Sequence, residues 1–298
     1  MYFSEIIMKF LRFAFLLFFL RGVAQNKPVL GPYENYGPFG SMVYTNIKEA
    51  LEVGQGVYRL NLSYTPIPPK LWVKLSKLKD LQVLNLQTAS VDQWPADFGK
   101  LYNMVFLGSY NNSFLTFPPD LGKLSNLMYL EFMGSKIDSV PSEIGWLQRL
   151  KTFKFAGADD TLKLPSSFKY LKSLRELVFE NVILDSLPTP VFSVSSLQFL
   201  VLVHCNIQSL PEEMRTLPQL ETLILDFNKL TVLPRSIYNC KKLYYLSLKN
   251  NQITKIPDTI CLLKGLGKLD LRGNPISANK DAIEELKILL PGCEIFCD

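Results

Sequence analysis

Histidine is almost missing from this sequence. His204 is the only one in 298 residues, so the commonest general acid/base and metal ligand is nearly absent. A histidine-rich metal site is excluded, and most hydrolase triads lose their base. Net charge is low as well: 32 Lys+Arg against 27 Asp+Glu gives +5. Three of those cations, Lys9, Arg12 and Arg21, fall before Gln25 together with the single acid Glu5, leaving 29 minus 26, or +3, for the rest. That balance lacks the basic excess that nucleic-acid binding requires. Gly-rich phosphate loops, paired-carboxylate constellations and Cys/His clusters are missing, so the chain is read as non-catalytic, with no metal and no cofactor. Beyond Ala24 no stretch is long and apolar enough to span a bilayer. Hydrophobic residues, at 48%, are plentiful, which argues against wholesale disorder.

The start of the chain differs from the rest. Residues 9–24 run Lys-Phe-Leu-Arg, then the unbroken apolar stretch Phe13–Leu20, then Arg21-Gly-Val-Ala24. A charged start, a short apolar centre and small residues before a cut mark a secretory signal peptide. Its eight-residue centre is too short to cross a hydrocarbon layer of about 30 Å as a permanent helix. Residues 1–24 are therefore expected to direct export and to be cleaved after Ala24, giving a secreted or periplasmic product. A hydrophobic anchor or a buried helix is the plainer alternative, and Arg21 is atypical of a signal.

A fixed spacing runs through the remainder. Prolines stand at Pro95, Pro118, Pro141, Pro165, Pro188, Pro211, Pro234 and Pro257, evenly spaced except for one extra position between Pro141 and Pro165. Each follows an apolar residue. A second register starts at Leu81, Met104, Leu127, Leu150, Leu174, Leu197, Leu220, Leu243 and Leu266. At the third and fifth positions beyond each, large apolar residues recur, as in Leu84/Leu86, Phe153/Phe155 and Leu223/Leu225. Such a pair has period two and turns both side chains to one face of a short strand. One strand cannot cover that face, but stacked turns make a continuous core.

The segment Leu243-Tyr-Tyr-Leu246-Ser-Leu248-Lys-Asn-Asn251-Gln-Ile253-Thr-Lys-Ile256-Pro257 resembles the 23-residue consensus of the leucine-rich repeat family, and the likeness extends over about residues 57–298. Secreted bacterial leucine-rich repeat proteins are the nearest in style. The resemblance implies an α/β fold: a curved leucine-rich repeat solenoid with a parallel β-sheet on the concave face and short helical or extended return segments. It also implies an asparagine ladder between turns, kept here at Asn112, Asn228, Asn251 and Asn274 and replaced by Ala89, Ser135, Ala158, Val182 and Cys205.

The expected layout is a signal peptide at 1–24, an arm and capping helix at 25–56, about ten repeats at 57–276 and a C-terminal cap at 277–298. The N-terminal cap is a short helix over Thr45–Leu51 with Thr45 as N-cap and Gly54 as stop, covering a first strand at Tyr58–Leu62. The C-terminal cap is an amphipathic helix over Ala282–Leu290 and an edge segment, Cys293–Cys297. Five cysteines are an odd number for an exported protein. Cys205 and Cys240 fall on inward positions, while Cys293 with Cys297, or either with Cys261, has spacing compatible with a disulfide. His204, beside Cys205, is expected to point elsewhere and to form no catalytic or metal pair.

Outward positions form three columns across the strands, and solvated sheet faces are normally polar. Two apolar islands break that rule. Phe106, Tyr110, Tyr129 and Met133 make one; Val178, Phe199, Val201, Val203 and Ile224, continued by Tyr245, make the other. Exposed apolar clusters mark interaction sites, and aromatics anchor binding energy. These ten residues are the candidate contacts for a protein or peptide partner, or for a second copy of the chain in a homodimer. The resemblance leaves two other roles open, an intracellular scaffold for signalling proteins and a structural surface adhesin. A plainer reading is that β-branched residues simply suit strands. The sequons Asn61-Leu-Ser63 and Asn111-Asn-Ser113 are read as chance matches.

Overall fold

A computed structural model describes residues 37–38, 40–157, 161–184 and 189–298. Residues 1–24, expected to direct export, most of the expected arm, Ala158 and the Leu-Pro step at Leu187-Pro188 lie outside the described residues. The described residues belong to one unit, Asn35–Asp298. Within it, twelve strands form a single parallel sheet whose spatial order is the chain order. They are β1 (Val43–Tyr44), β2 (Arg59–Asn61), β3 (Val83–Gln87), β4 (Phe106–Tyr110), β5 (Tyr129–Met133) and β6 (Thr152–Ala156). β7 (Glu176–Glu180), β8 (Phe199–Val203), β9 (Thr222–Ile224), β10 (Tyr245–Ser247), β11 (Lys268–Asp270) and β12 (Glu294–Phe296) complete it.

The spacing of the repeat becomes the register of the sheet. Leu84 pairs with Leu107, Leu107 with Leu130, Leu130 with Phe153 and Phe153 with Leu177. The row continues through Leu200, Leu223, Leu246 and Leu269. These side chains, and all but Ser109 of those two positions further on, are wholly buried in one continuous core. Burying each contributes roughly 1.5–3 kcal/mol, so the stacking of neighbours supplies what no single turn could. Short 3-10 turns carry the chain back. Ser142–Trp146, Ser166–Tyr170, Glu212–Thr216, Arg235–Asn239 and Asp258–Leu262 each begin just after the repeating proline. Proline suits that place because its φ is fixed and its missing N–H is not needed there. Its carbonyl accepts the first bond of the turn, as in Ile144 N to Pro141 O at 3.1 Å.

Both ends are covered. Helix α1 (Ile47–Val53) buries Ile47 and Ala50 and stops at Gly54, whose φ of 73° suits a residue without a side chain. Its N-cap is Asn46, not Thr45: the Asn46 Oδ1 accepts from Lys48 N at 2.8 Å. The first strand is also not the one at Tyr58–Leu62, because the two-residue β1 precedes it and pairs with β2. Helix α2 (Lys280–Leu289) buries Ile283 and Leu286 and is capped by Asn279, and β12 closes the sheet beside β11. No helix among the described residues is long and apolar enough to cross a membrane.

The asparagine ladder is present where the residue is present. Asn251 Nδ2 donates to Leu225 O at 2.8 Å and Leu248 O at 2.9 Å, and its Oδ1 accepts from Leu230 N at 3.0 Å. Asn228 and Asn274 bond in the same pattern. At the position where Cys205 replaces asparagine, its thiol reaches Phe179 O and Val203 O at 3.4 Å each. Burial pushes that thiol up to about 12, so it stays protonated and can act as a weak donor.

Candidate functional site

Strand alternation decides which side chains leave the core. Leu177 and Phe179 point inward and are fully buried, so Glu176, Val178 and Glu180 occupy the opposite face of β7. The register aligns such residues into columns. One runs Val83, Phe106, Tyr129, Thr152, Glu176, Phe199, Thr222, Tyr245 and Lys268. Gly108, Glu131, Lys154, Val178, Val201 and Ile224 align in the next. Tyr110, Met133, Ala156, Glu180 and Val203 align in the third.

All ten sequence-derived candidates therefore lie on the face turned away from the core, but they are not equally accessible. Phe106, Val178, Val201, Val203 and Ile224 are only 2–9% exposed. Strands about 4.8 Å apart set these side chains shoulder to shoulder, so they form a second, shallow layer. Tyr110, Tyr129, Met133, Phe199 and Tyr245 remain half-buried and supply the accessible apolar surface. Phe106 is covered for a specific reason: the Phe106 and Tyr110 rings close over Gly108, where an added Cβ would meet them at 2.7 and 2.8 Å. A glycine inside a strand is the sequence signal for such a close approach.

Sequence reasoning missed the charged strip between the islands. Lys154 Nζ lies 3.5 Å from Glu131 Oε1 and 3.2 Å from Glu176 Oε1. Tyr110 Oη donates to Glu131 Oε2, and Thr152 Oγ1 donates to Glu176 Oε2 at 3.1 Å. Burial alone would lower the Lys154 pKa, but the two carboxylates outweigh it and the net shift is upward. Burial, then the Glu131 charge, holds Tyr110 well above the ordinary phenol value. The alternation of Glu131, Lys154 and Glu176 in neighbouring outward positions was the available clue.

A second polar group adjoins the other island. Asp226 accepts from Ser247 Oγ and, at 3.1 Å, from Lys249 N, while Arg272 Nε donates to Asp270 Oδ1 at 3.0 Å. Burial raises Asp226 to about 6, against the opposing Ser247 hydrogen bond and with help from the Asp270 charge. Burial also raises Glu180 and Tyr245. His204 is exposed and stacks on Phe227 with ring centroids 4.4 Å apart. Cys205 is instead buried, its thiol directed to the Phe179 and Val203 carbonyls. All five cysteines are unpaired, so the spacing of Cys261, Cys293 and Cys297 does not translate into a disulfide. Among the described residues no group of three or more His, Cys, Asp or Glu is placed to hold a metal ion.

A family model described as leucine rich repeat matches residues 218–276, the stretch that holds β9, β10 and β11. An internalin of Listeria monocytogenes is similar in structure, with 21% identity and a TM-score of 0.56, over 80% of this chain and 76% of its own. The Arabidopsis receptor kinase HAESA, solved with the peptide hormone IDA and the co-receptor SERK1, is 25% identical with a TM-score of 0.58. That match covers 73% of this chain but 38% of the receptor chain. A leucine-rich repeat protein of Leptospira interrogans is 24% identical with a TM-score of 0.40, over 83% of this chain and 86% of its own. No curated protein matches the chain. The repeat spacing, the parallel sheet in chain order and the matched family model converge: the described residues have a leucine-rich repeat fold, and residues 218–276 match the leucine rich repeat family itself.

Proposed function

We propose that this protein is a non-catalytic binding module that captures a protein or peptide on the outward face of its sheet. The observation that carries the reading is the pair of apolar groups in register there, led by the accessible Tyr129, Met133, Phe199 and Tyr245. Aromatic side chains of this kind supply most of the energy at interfaces. The similar receptor kinase was solved with a peptide hormone, which supports a peptide-sized partner. On this reading residues 1–24 direct export, 25–56 form the arm and N-terminal cap, 57–276 the binding repeats and 277–298 the C-terminal cap. Replacing Phe199 with Asp, and separately Tyr129 with Asp, should abolish partner capture from the native compartment while circular dichroism stays unchanged. Intact capture by both folded variants would remove the sheet face from the reading.

The unpaired state of all five cysteines favours a second reading, an intracellular scaffold, because disulfides are expected in oxidising compartments. N-terminal sequencing of the native product separates the two: a chain beginning at Gln25 supports export, and one retaining residues 1–24 supports the scaffold.

A further inference from the structure

Charge on the sheet face is matched at both ends of the second island but not across it. On one side Lys154 sits between Glu131 and Glu176, and on the other Arg272 is committed to Asp270. Between them, two carboxylates flank Val203. Glu180 is its partner in the β7–β8 register, and His204 N donates to Asp226 O at 3.2 Å, which sets Asp226 on the other side. Two strand spacings place Glu180 and Asp226 roughly 9–10 Å apart. Among the described residues neither forms an ion pair. The nearby Lys249 directs its ammonium over the Phe227 ring, 6.0 Å from the centroid.

We propose that the face over β7–β9 takes a peptide segment whose lysine or arginine lies above Val203, between Glu180 and Asp226, beside an apolar side chain on Phe199. The proposal rests on the sheet face being the binding surface and names the chemistry of its occupant. A long cationic side chain suits the place because its stem can lie on valine while its head meets carboxylates. The charge complementarity selects this occupant over an acidic or purely apolar one. The groups facing Asp226 are Glu180 and His204 on one side, and Tyr245, Ser247, Lys249, Asp270 and Arg272 on the other. An arriving cation favours the ionised form of Asp226, which burial now opposes, so affinity should fall as pH drops through about 6.

The test uses the full chain and two acetylated, amidated peptides, Leu-Lys-Leu-Lys-Leu and Leu-Glu-Leu-Glu-Leu, in titration calorimetry with parallel sedimentation. The cationic peptide should bind at least tenfold more tightly at pH 7.5, with the preference shrinking at pH 5. The double variant Glu180→Gln/Asp226→Asn should lose that preference with its circular dichroism intact, whereas Phe199→Ala should weaken both peptides alike. Equal binding of the two peptides, a preference that survives the double variant, or no binding of either would overturn the proposal. A dimer that Phe199→Asp dissociates, with no peptide bound, would assign the face to a second copy and overturn it as well. Loss of the cation preference alone leaves partner capture through Phe199 standing, so the two readings fail separately.

Discussion

The turns that carry β3 to β8 and those that carry β9 to β11 solve one packing problem in different ways. In the earlier turns the core is filled by phenylalanine. Phe117 lies 4.8 Å from Phe132, and Phe153 lies 6.0 Å from Phe168 and 5.8 Å from Phe179. Asparagine is mostly missing from the ladder there, and each strand has five residues. In the later turns leucine fills the core, Asn228, Asn251 and Asn274 form an unbroken ladder, and the strands have three residues. The lesson is that turns can be joined through side-chain volume and longer backbone ladders, or through buried amides. The stretch matched as leucine rich repeat, residues 218–276, is of the second kind.

The comparison can be broken first at its aromatic end. Phe153→Ala should cost about 3–5 kcal/mol in urea unfolding, since the ring is wholly buried among other rings. A loss below about 1 kcal/mol would mean the earlier turns do not depend on the aromatic column. Next, Asn251→Ala removes a donor and an acceptor that serve buried backbone groups. A loss of about 2–3 kcal/mol is expected by the same measurement. Cys205 sharpens the contrast because its thiol reaches carbonyls equivalent to those bonded by Asn228. Cys205→Asn should be more stable than Cys205→Ala by about 1 kcal/mol. Asparagine no better than alanine would show that the earlier turns cannot accept the amide.

The smallest effect concerns Asp226. Its pKa in the fold, about 6, lies above the usual carboxylate value, so the protonated form is favoured by folding. The penalty is absent below about pH 4, grows between pH 4 and 6, and is fully present above that range. Asp226→Asn should therefore raise stability at pH 7 by about 1 kcal/mol, discounted for partial exposure, and flatten the melting temperature between pH 4 and 7. Unchanged pH dependence would place the strain elsewhere.

Much of this was legible because a repeat states its packing rule many times. The row Leu200, Leu223 and Leu246 could be read from spacing alone, since parallel strands one repeat apart need identical faces. Ends of the array were less legible. Val43–Tyr44 carries no Leu-x-Leu pair, so β1 had no signature, and Asn46 displaced Thr45 as cap because both residue types suit that role. On the sheet face, membership of each column was readable, but accessibility was not. Val178 and Val201 read as exposed and are covered by their neighbours.

The sequence by itself determined the ladder of turns, the register and the face on which each strand residue falls. Its reason is local: alternation and a constant spacing fix these without knowledge of side-chain conformation. Only the tertiary structure decided that Lys154 bridges Glu131 and Glu176, and that Glu180 and Asp226 flank Val203 with, among the described residues, no ion pair to either. Those outcomes depend on rotamers chosen jointly by residues from three or more turns, and no single turn encodes that choice.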